Sequence, residues 1–376
     1  MRSIYLIFLL IVLWSCNHKS TPEGSDNTFY GVDSLIKAEN GLDKFSGVIK
    51  LKNNGDEFSC TAGVADRNWH IEMDTSFVFD IASLNKSFIA TLIMIATEEG
   101  KLSPDNNLND ILAIHGYSSA FPDSITLHHL LTHTSGIPDY NEIDEELKQG
   151  NFMKFKRSQF SNREYIDFVA KLEPVFLPGK GFYYSNFGYH LLAIILEEVY
   201  KKSFGEILNE KICVPLGLRN TYSIIDRRKV IPNLVEAYEQ DRETDEYLKN
   251  DYIDLSIGRR IFSTSSDMVK WAESMNSNVL LSEESLQVMK TNHISKIDST
   301  NSYGYGWIVF DGGNYSMGNL NISKPYIIHG GNTGGYRSLL VNINDGETII
   351  SMLANTGSNS NLLGIADNVL KILNYK

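Results

Sequence analysis

Apolar and polar positions alternate over residues 47–52 and again over 57–64, with Asn53-Asn54-Gly55 between them, a pattern that predicts a β-hairpin. Residues 77–81 continue as an extended segment. Between Ser83 and Glu99 the period changes: Phe88, Ile89, Leu92, Ile93, Ile95 and Ala96 cover most of a helical circumference, and Gly100 is placed to stop it. That helix is expected to be central and buried. Residues 103–295 read as mainly helical, broken at Ser135-Gly136-Ile137-Pro138, Pro178-Gly179 and Pro215-Leu216-Gly217. Strand patterns return over 305–310, 326–329, 338–343 and 348–353, and a last helix over 362–373 gathers Leu362, Ile365, Val369 and Ile372 on one face. The fold class expected is α/β (α+β). Strands from both ends of the chain join in one antiparallel sheet flanked by helices (45–102 with 296–376), beside a mainly helical lobe (103–295).

The N-terminus follows a different rule. Arg2 precedes an apolar run from Ile4 to Trp14, too short to span a bilayer but of the length of a signal-peptide core. It ends in Leu13-Trp14-Ser15-Cys16, which resembles a bacterial lipobox, although Trp14 is bulkier than the small residues usual there. Residues 1–15 are therefore expected to be a lipoprotein signal peptide and Cys16 the lipidated residue, followed to residue 44 by a tether (17–28) and a short lead-in helix. The expected location is outside the cytoplasm, lipid-anchored to a bacterial membrane and facing the periplasm or exterior.

With 42% hydrophobic and 21% charged residues, the 376-residue chain has the make-up of a globular protein, and no Pro- or Ser-rich linker divides it. Its 34 Lys and Arg against 46 Asp and Glu leave −12, which argues against nucleic acid as a partner. Beyond Cys16 there remain Cys60 and Cys213, too few for a disulfide framework or a zinc site, and a bridge between them has no geometric support in the sequence. His129 and His133 stand at i and i+4 without an H-E-x-x-H pattern, so they read as structural and no metal or cofactor is expected. No G-x-S-x-G occurs; Gly116-Tyr117-Ser118-Ser119-Ala120 lacks the last glycine.

The candidate chemistry begins at Ser83-Leu84-Asn85-Lys86. At i and i+3 the lysine amine can approach the serine hydroxyl, which is a poor nucleophile until a base takes its proton. A helix N-terminus also directs free N–H groups at a developing oxyanion. Two further elements follow in order. Tyr184-Ser185-Asn186 sets a phenol and an amide on a loop before a helix, and His329-Gly330-Gly331-Asn332 follows a predicted strand, its glycines allowing close approach of a ligand.

Serine with lysine, then Y-x-N, then a basic residue and glycine on a strand is a set that resembles serine β-lactamases and penicillin-binding proteins. The similarity is greatest to class C β-lactamases and related peptidases and esterases. It extends over residues 44–375 and includes Leu130-Leu131-Thr132-His133-Thr134-Ser135-Gly136-Ile137-Pro138, Pro215-Leu216-Gly217-Leu218 and Tyr305-Gly306-Trp307. The resemblance implies that Ser83 attacks a carbonyl and that Lys86 and Tyr184 share the acid and base duties, the first base being open. It further implies that Asn186 contacts Lys86 and substrate, and that the backbone N–H groups of Ser83 and Asn332 bind the oxyanion. The implied activity is hydrolysis of a D-amino-acid peptide, a β-lactam or an ester through an acyl-enzyme; the alternative is a catalytically weak penicillin-binding or cell-wall-sensing protein.

Two departures bear on substrate. His329 stands where β-lactamases usually carry lysine, and with an ordinary pKa near 6.5 it is expected to anchor a substrate carboxylate at pH 5.5 more strongly than at pH 8, unless Arg337 does so at every pH. Gly258-Arg259-Arg260 brings a basic pair where the resemblance leads one to expect a glycine-rich turn. Tyr303, Tyr305 and Trp307 fit a cleft border or an aromatic core equally well.

Overall fold

The computed structural model describes residues 23–375 apart from 119–120, 140–158, 225, 227–228, 242 and 251–258. The proposed signal peptide, Cys16 and the first part of the tether lie outside the described residues. The strands that carry the architecture are β1 (Gly47–Asn53), β2 (Asp56–Ala62), β3 (Phe79–Asp80), β4 (Tyr222–Ile224), β5 (Arg260–Ser263), β6 (Ile308–Phe310), β7 (Tyr326–Thr333), β8 (Tyr336–Ile343) and β9 (Thr348–Ala354). The helices used below are α1 (Glu23–Gly41), α2 (Asn85–Glu98), α3 (Asn186–Tyr200), α4 (Ser265–Ser274) and α5 (Leu362–Ile372).

β1 and β2 form the expected hairpin, with Asn53 opposite Asp56. Asn54 (φ 51°) and Gly55 (φ 91°) are both left-handed, as a two-residue turn matching strand twist requires. β1 then pairs with β9, Val48 opposite Leu353, so the two ends of the chain meet in one sheet of order β6-β7-β8-β9-β1-β2, antiparallel throughout. Alternation along the strands divides the core. Ile49, Ile328, Val341 and Ile350 face α1 and α5, packing on Val32, Ile36, Leu362 and Val369. Val48, Leu340, Ile349 and Leu353 face the other way, towards α2 and α4, where Phe88 stacks on Trp271 with ring centroids 3.9 Å apart.

α2 is buried from Asn85 to Ala96 and ends as its sequence predicts, with Gly100 left-handed (φ 70°) just beyond. Three expectations need correction. The stretch 17–28 is not tether throughout, because α1 starts at Glu23 and runs 19 residues, its Phe29 stacked on Phe58 of β2. Second, residues 103–295 are mainly helical as expected but not throughout, for they also contain β4, β5 and a ribbon of Tyr238–Gln240 with Tyr247–Lys249. Strands this short carry too few residues to show a period of two. β5 pairs with β3 and β4, so the two lobes share a small sheet instead of merely touching. Third, the strand expected over 305–310 is confined to β6; Tyr303, Tyr305 and Trp307 precede it and are buried in the core.

Cys60 and Cys213 are free and buried, in the two different cores, and burial pushes each thiol up to about 12. In a Cys16→Ala background, folded protein should leave Ellman's reagent unreacted, reductant should leave Tm unchanged, and two thiols should appear on denaturation. Rapid reaction of either thiol in the folded state would contradict this packing.

Candidate active site

Ser83 lies in a single turn of 3-10 helix, Ala82–Leu84, that leads directly into α2, so the helix proper begins two residues later than its pattern suggests. The turn starts from a strained residue. Ala82 has φ 51°, a conformation that costs a residue with a Cβ roughly 1–2 kcal/mol. The Asp80 carboxylate offsets it by accepting the Ala82 N–H at 2.8 Å through Oδ1. The other oxygen, Oδ2, accepts from Arg260 Nε at 2.8 Å and Nη2 at 2.6 Å. Both side chains are buried, Asp80 on β3 and Arg260 on the neighbouring β5.

The turn is tied to the main sheet as well. Ser338 Oγ on β8 donates to the Ile81 carbonyl at 2.7 Å. Opposite Ser338, Gly331 approaches so closely that a Cβ there would stand 2.6 Å from Ile81 O and 2.8 Å from the Ala82 Cβ. The sequence suggested that both glycines make room for a ligand. Both line the cleft, and Gly331 in addition makes room for the turn that carries Ser83.

One helical turn on, the buried Lys86 amine donates to Ser83 Oγ at 3.1 Å and to Asn186 Oδ1 at 2.7 Å, and lies 4.8 Å from the centre of the Tyr184 ring. Neither hydrogen-bond partner is charged. Loss of hydration lowers the amine to about 7; Asp139 raises it and Arg260 lowers it further by charge. Burial acts oppositely on Tyr184, raising its phenol above the ordinary value of 10, while its hydrogen bond with Ser83 lowers it.

The loop holding Tyr184 and Asn186 is braced by Thr132-His133-Thr134-Ser135-Gly136-Ile137-Pro138-Asp139, a segment whose sequence carried no assigned chemistry. His133 Nδ1 accepts the Ser185 N–H at 3.1 Å, and Ser185 Oγ donates to Pro138 O at 2.9 Å. Asp139 accepts the Asn186 N–H at 3.2 Å and its Nδ2 at 2.9 Å, fixing which end of that amide faces Lys86. Neither Asp139 nor Asp80 was singled out in the sequence. Each acts through a neighbour and belongs to no recognisable motif.

Arg259 has a structural account too. It pairs with Glu197 of α3 at 2.5 Å and donates to His190 Nε2 at 2.9 Å, fastening the start of β5 to that helix. His129 closes a capping box with Thr126, and among the described residues no group of three or more His, Cys, Asp or Glu is arranged to hold a metal.

His329 departs from expectation. It is buried, its Nε2 bonded to the Tyr303 hydroxyl at 3.1 Å and its Nδ1 2.7 Å from the Gly330 carbonyl. Burial and the neighbouring Lys86 hold its pKa down to about 3, so it does not change charge between pH 5.5 and 8. Sequence spacing shows that a histidine is present but not its hydration. Asn332 is exposed, and its side-chain oxygen accepts from Arg337.

An antiparallel sheet with helices on both faces, and beside it a serine on a turn with a lysine in the first turn of the helix that follows, define the β-lactamase and transpeptidase-like fold. The chain belongs to the Beta-lactamase family, whose model matches residues 33–373. It is 25% identical over 334 residues to penicillin-binding protein 4* of Bacillus subtilis (strain 168), a match covering 83% of this chain and 68% of that one. Over 324 residues it is 24% identical to penicillin-binding protein 4 of Amycolatopsis lactamdurans, 81% and 79% of the two chains. Among solved structures, the octameric penicillin-binding protein homologue from Pyrococcus abyssi superposes with a TM-score of 0.77 at 26% identity, over 92% of this chain and 77% of that one.

Breaking the Asp80–Arg260 pair from one side strands a buried charge, so Arg260→Met should cost about 3–5 kcal/mol in urea unfolding. The double variant Asp80→Leu, Arg260→Met should regain most of that stability. If Ser83 is the nucleophile, its acylation should still be slower than in wild type, because the Ala82 N–H has lost its acceptor. A double variant with wild-type acylation would show that the pair serves folding alone.

Proposed function

We propose that this protein is a serine hydrolase that forms an acyl-enzyme at Ser83 and acts on a D-amino-acid peptide, β-lactam or ester bond of the cell envelope. The observation that carries the reading is the Lys86 amine, 3.1 Å from Ser83 Oγ and held near neutrality by its burial. An amine of that kind is present in good part as the free base at neutral pH, which a solvated lysine is not. Lys86 takes the Ser83 proton as Oγ bonds to the carbonyl carbon. The Tyr184 phenol, whose raised pKa keeps it protonated, relays a proton from Lys86 to the leaving group as the scissile bond breaks. The oxyanion falls to the backbone N–H groups of Ser83 and Asn332. Water then attacks the acyl ester, the bond to Oγ breaks, and the serine recovers its proton. Relatives that are penicillin-binding proteins support a substrate drawn from the cell envelope.

Mass spectrometry after incubation with a penicillin or an activated ester should show a stoichiometric adduct on the Ser83 peptide, absent in Ser83→Ala. Lys86→Ala should slow acylation about 10²–10⁴-fold. Because the neutral amine is the active form, kcat/KM should rise with pH through about 7 and fall towards tenfold per unit below it. An adduct that survives Ser83→Ala, or an acid limb near pH 4, would count against the assignment.

Export and anchoring through Cys16 belong to the same proposal, supported by the lipobox-like end of the apolar run. No helix among the described residues is long and apolar enough to cross a membrane. Wild type should sediment with membranes and incorporate labelled fatty acid, the several chains of a lipoprotein binding far more firmly than one. Cys16→Ala should release it; unchanged partition would refute the site.

A further inference from the structure

Ser83 and Tyr184 open into a cleft of about 460 Å³ whose wall is largely aliphatic: Ile308 of β6, Ile328 of β7, Leu339 of β8, Met317 on the following loop, and Leu362 and Leu363 at the start of α5. The glycine at position 330 leaves this wall uninterrupted, since β7 presents no side chain between Ile328 and the reactive serine on that face. The polar groups that share the cleft are engaged within the protein. His329 is bonded to Tyr303, Ser338 donates to Ile81 O, and Ser360 is paired with Thr356. Arg337, the cation of this lining, donates to Asn332 and to the Tyr336 carbonyl at 3.0 Å and lies 3.6 Å from Glu239, which already compensates its charge.

We infer that the cleft selects carbonyl compounds with an apolar acyl group, and discriminates against those whose acyl group carries a carboxylate onto the aliphatic wall. An alkyl or aryl acyl chain covers the aliphatic wall and leaves no protein group unpaired. A carboxylate in the same place loses its hydration against that wall and meets no uncommitted cation among the described lining residues. This inference rests on the acyl-enzyme reading of Ser83 and narrows its substrate class to esters and amides with an uncharged, apolar acyl group.

The test uses p-nitrophenyl esters with the full exported chain, reading kcat/KM by nitrophenolate release and acylation of the Ser83 peptide by mass spectrometry. From acetyl to hexanoyl, kcat/KM should rise up to about fourfold per methylene, the full value for burial of a CH₂. The mono-p-nitrophenyl ester of adipic acid, of hexanoyl length but ending in a carboxylate, should be at least about a hundredfold poorer than hexanoyl. Leu363→Asp should flatten the chain-length series. Met317→Lys should flatten it and raise the adipoyl ester relative to hexanoyl. Turnover with a flat or falling series, or with adipoyl equal to hexanoyl in wild type, overturns this inference while leaving the hydrolase reading intact. Failure of every ester and of penicillin to acylate Ser83 overturns that reading, and this inference with it.

Discussion

A lysine amine buried with no carboxylate bonded to it among the described residues is the constraint around which the rest is arranged. Among those residues Lys86 bonds to the neutral Ser83 hydroxyl and the Asn186 side-chain oxygen, and desolvation lowers it to about 7. A direct Asp or Glu partner would hold it as an ammonium. Asp139 is instead one residue removed, bonded to the other end of the same Asn186 amide. It orients the amide and supplies some negative potential without contacting the amine.

The same logic governs the serine. A left-handed Ala82 aims the turn, and an N–H that no regular element would satisfy is taken by Asp80. A lone buried carboxylate is expensive, so Arg260 comes with it. Because Arg260 sits on β5, far along the chain and in the other lobe's share of the sequence, the small β3-β5-β4 sheet does more than close the fold. It couples the placement of Ser83 to the docking of the two lobes. Arg259 extends that coupling to α3, whose first residue is Asn186. The Ser83 hydroxyl, the Lys86 amine and the Asn186 amide are thereby referred to one connected frame.

Much of this was legible in the chain. The Asn54-Gly55 turn, the buried α2 with its Gly100 stop, the terminal helix and the meeting of both chain ends in one antiparallel sheet all follow from local periodicity and turn chemistry, which depend on near neighbours alone. The spacing of Ser83 and Lys86 already brings their side chains together, since three residues make most of a helical turn. Their meeting with Asn186 was expected from motif order and resemblance, not from any local pattern.

What only the tertiary structure decided is the set of properties that depend on surroundings. Loss of hydration made His329 a neutral partner of Tyr303 where its ordinary pKa pointed to a titrating anchor. Long-range pairing made Arg260 the counter-ion of Asp80, 180 residues away, although in sequence it looked like an unexplained basic doublet. Close approach made Gly331 a site of contact with Ala82. A side chain's chemical type is written at its own position, but its charge state, its partner and its free volume are set by groups that the fold alone brings near it.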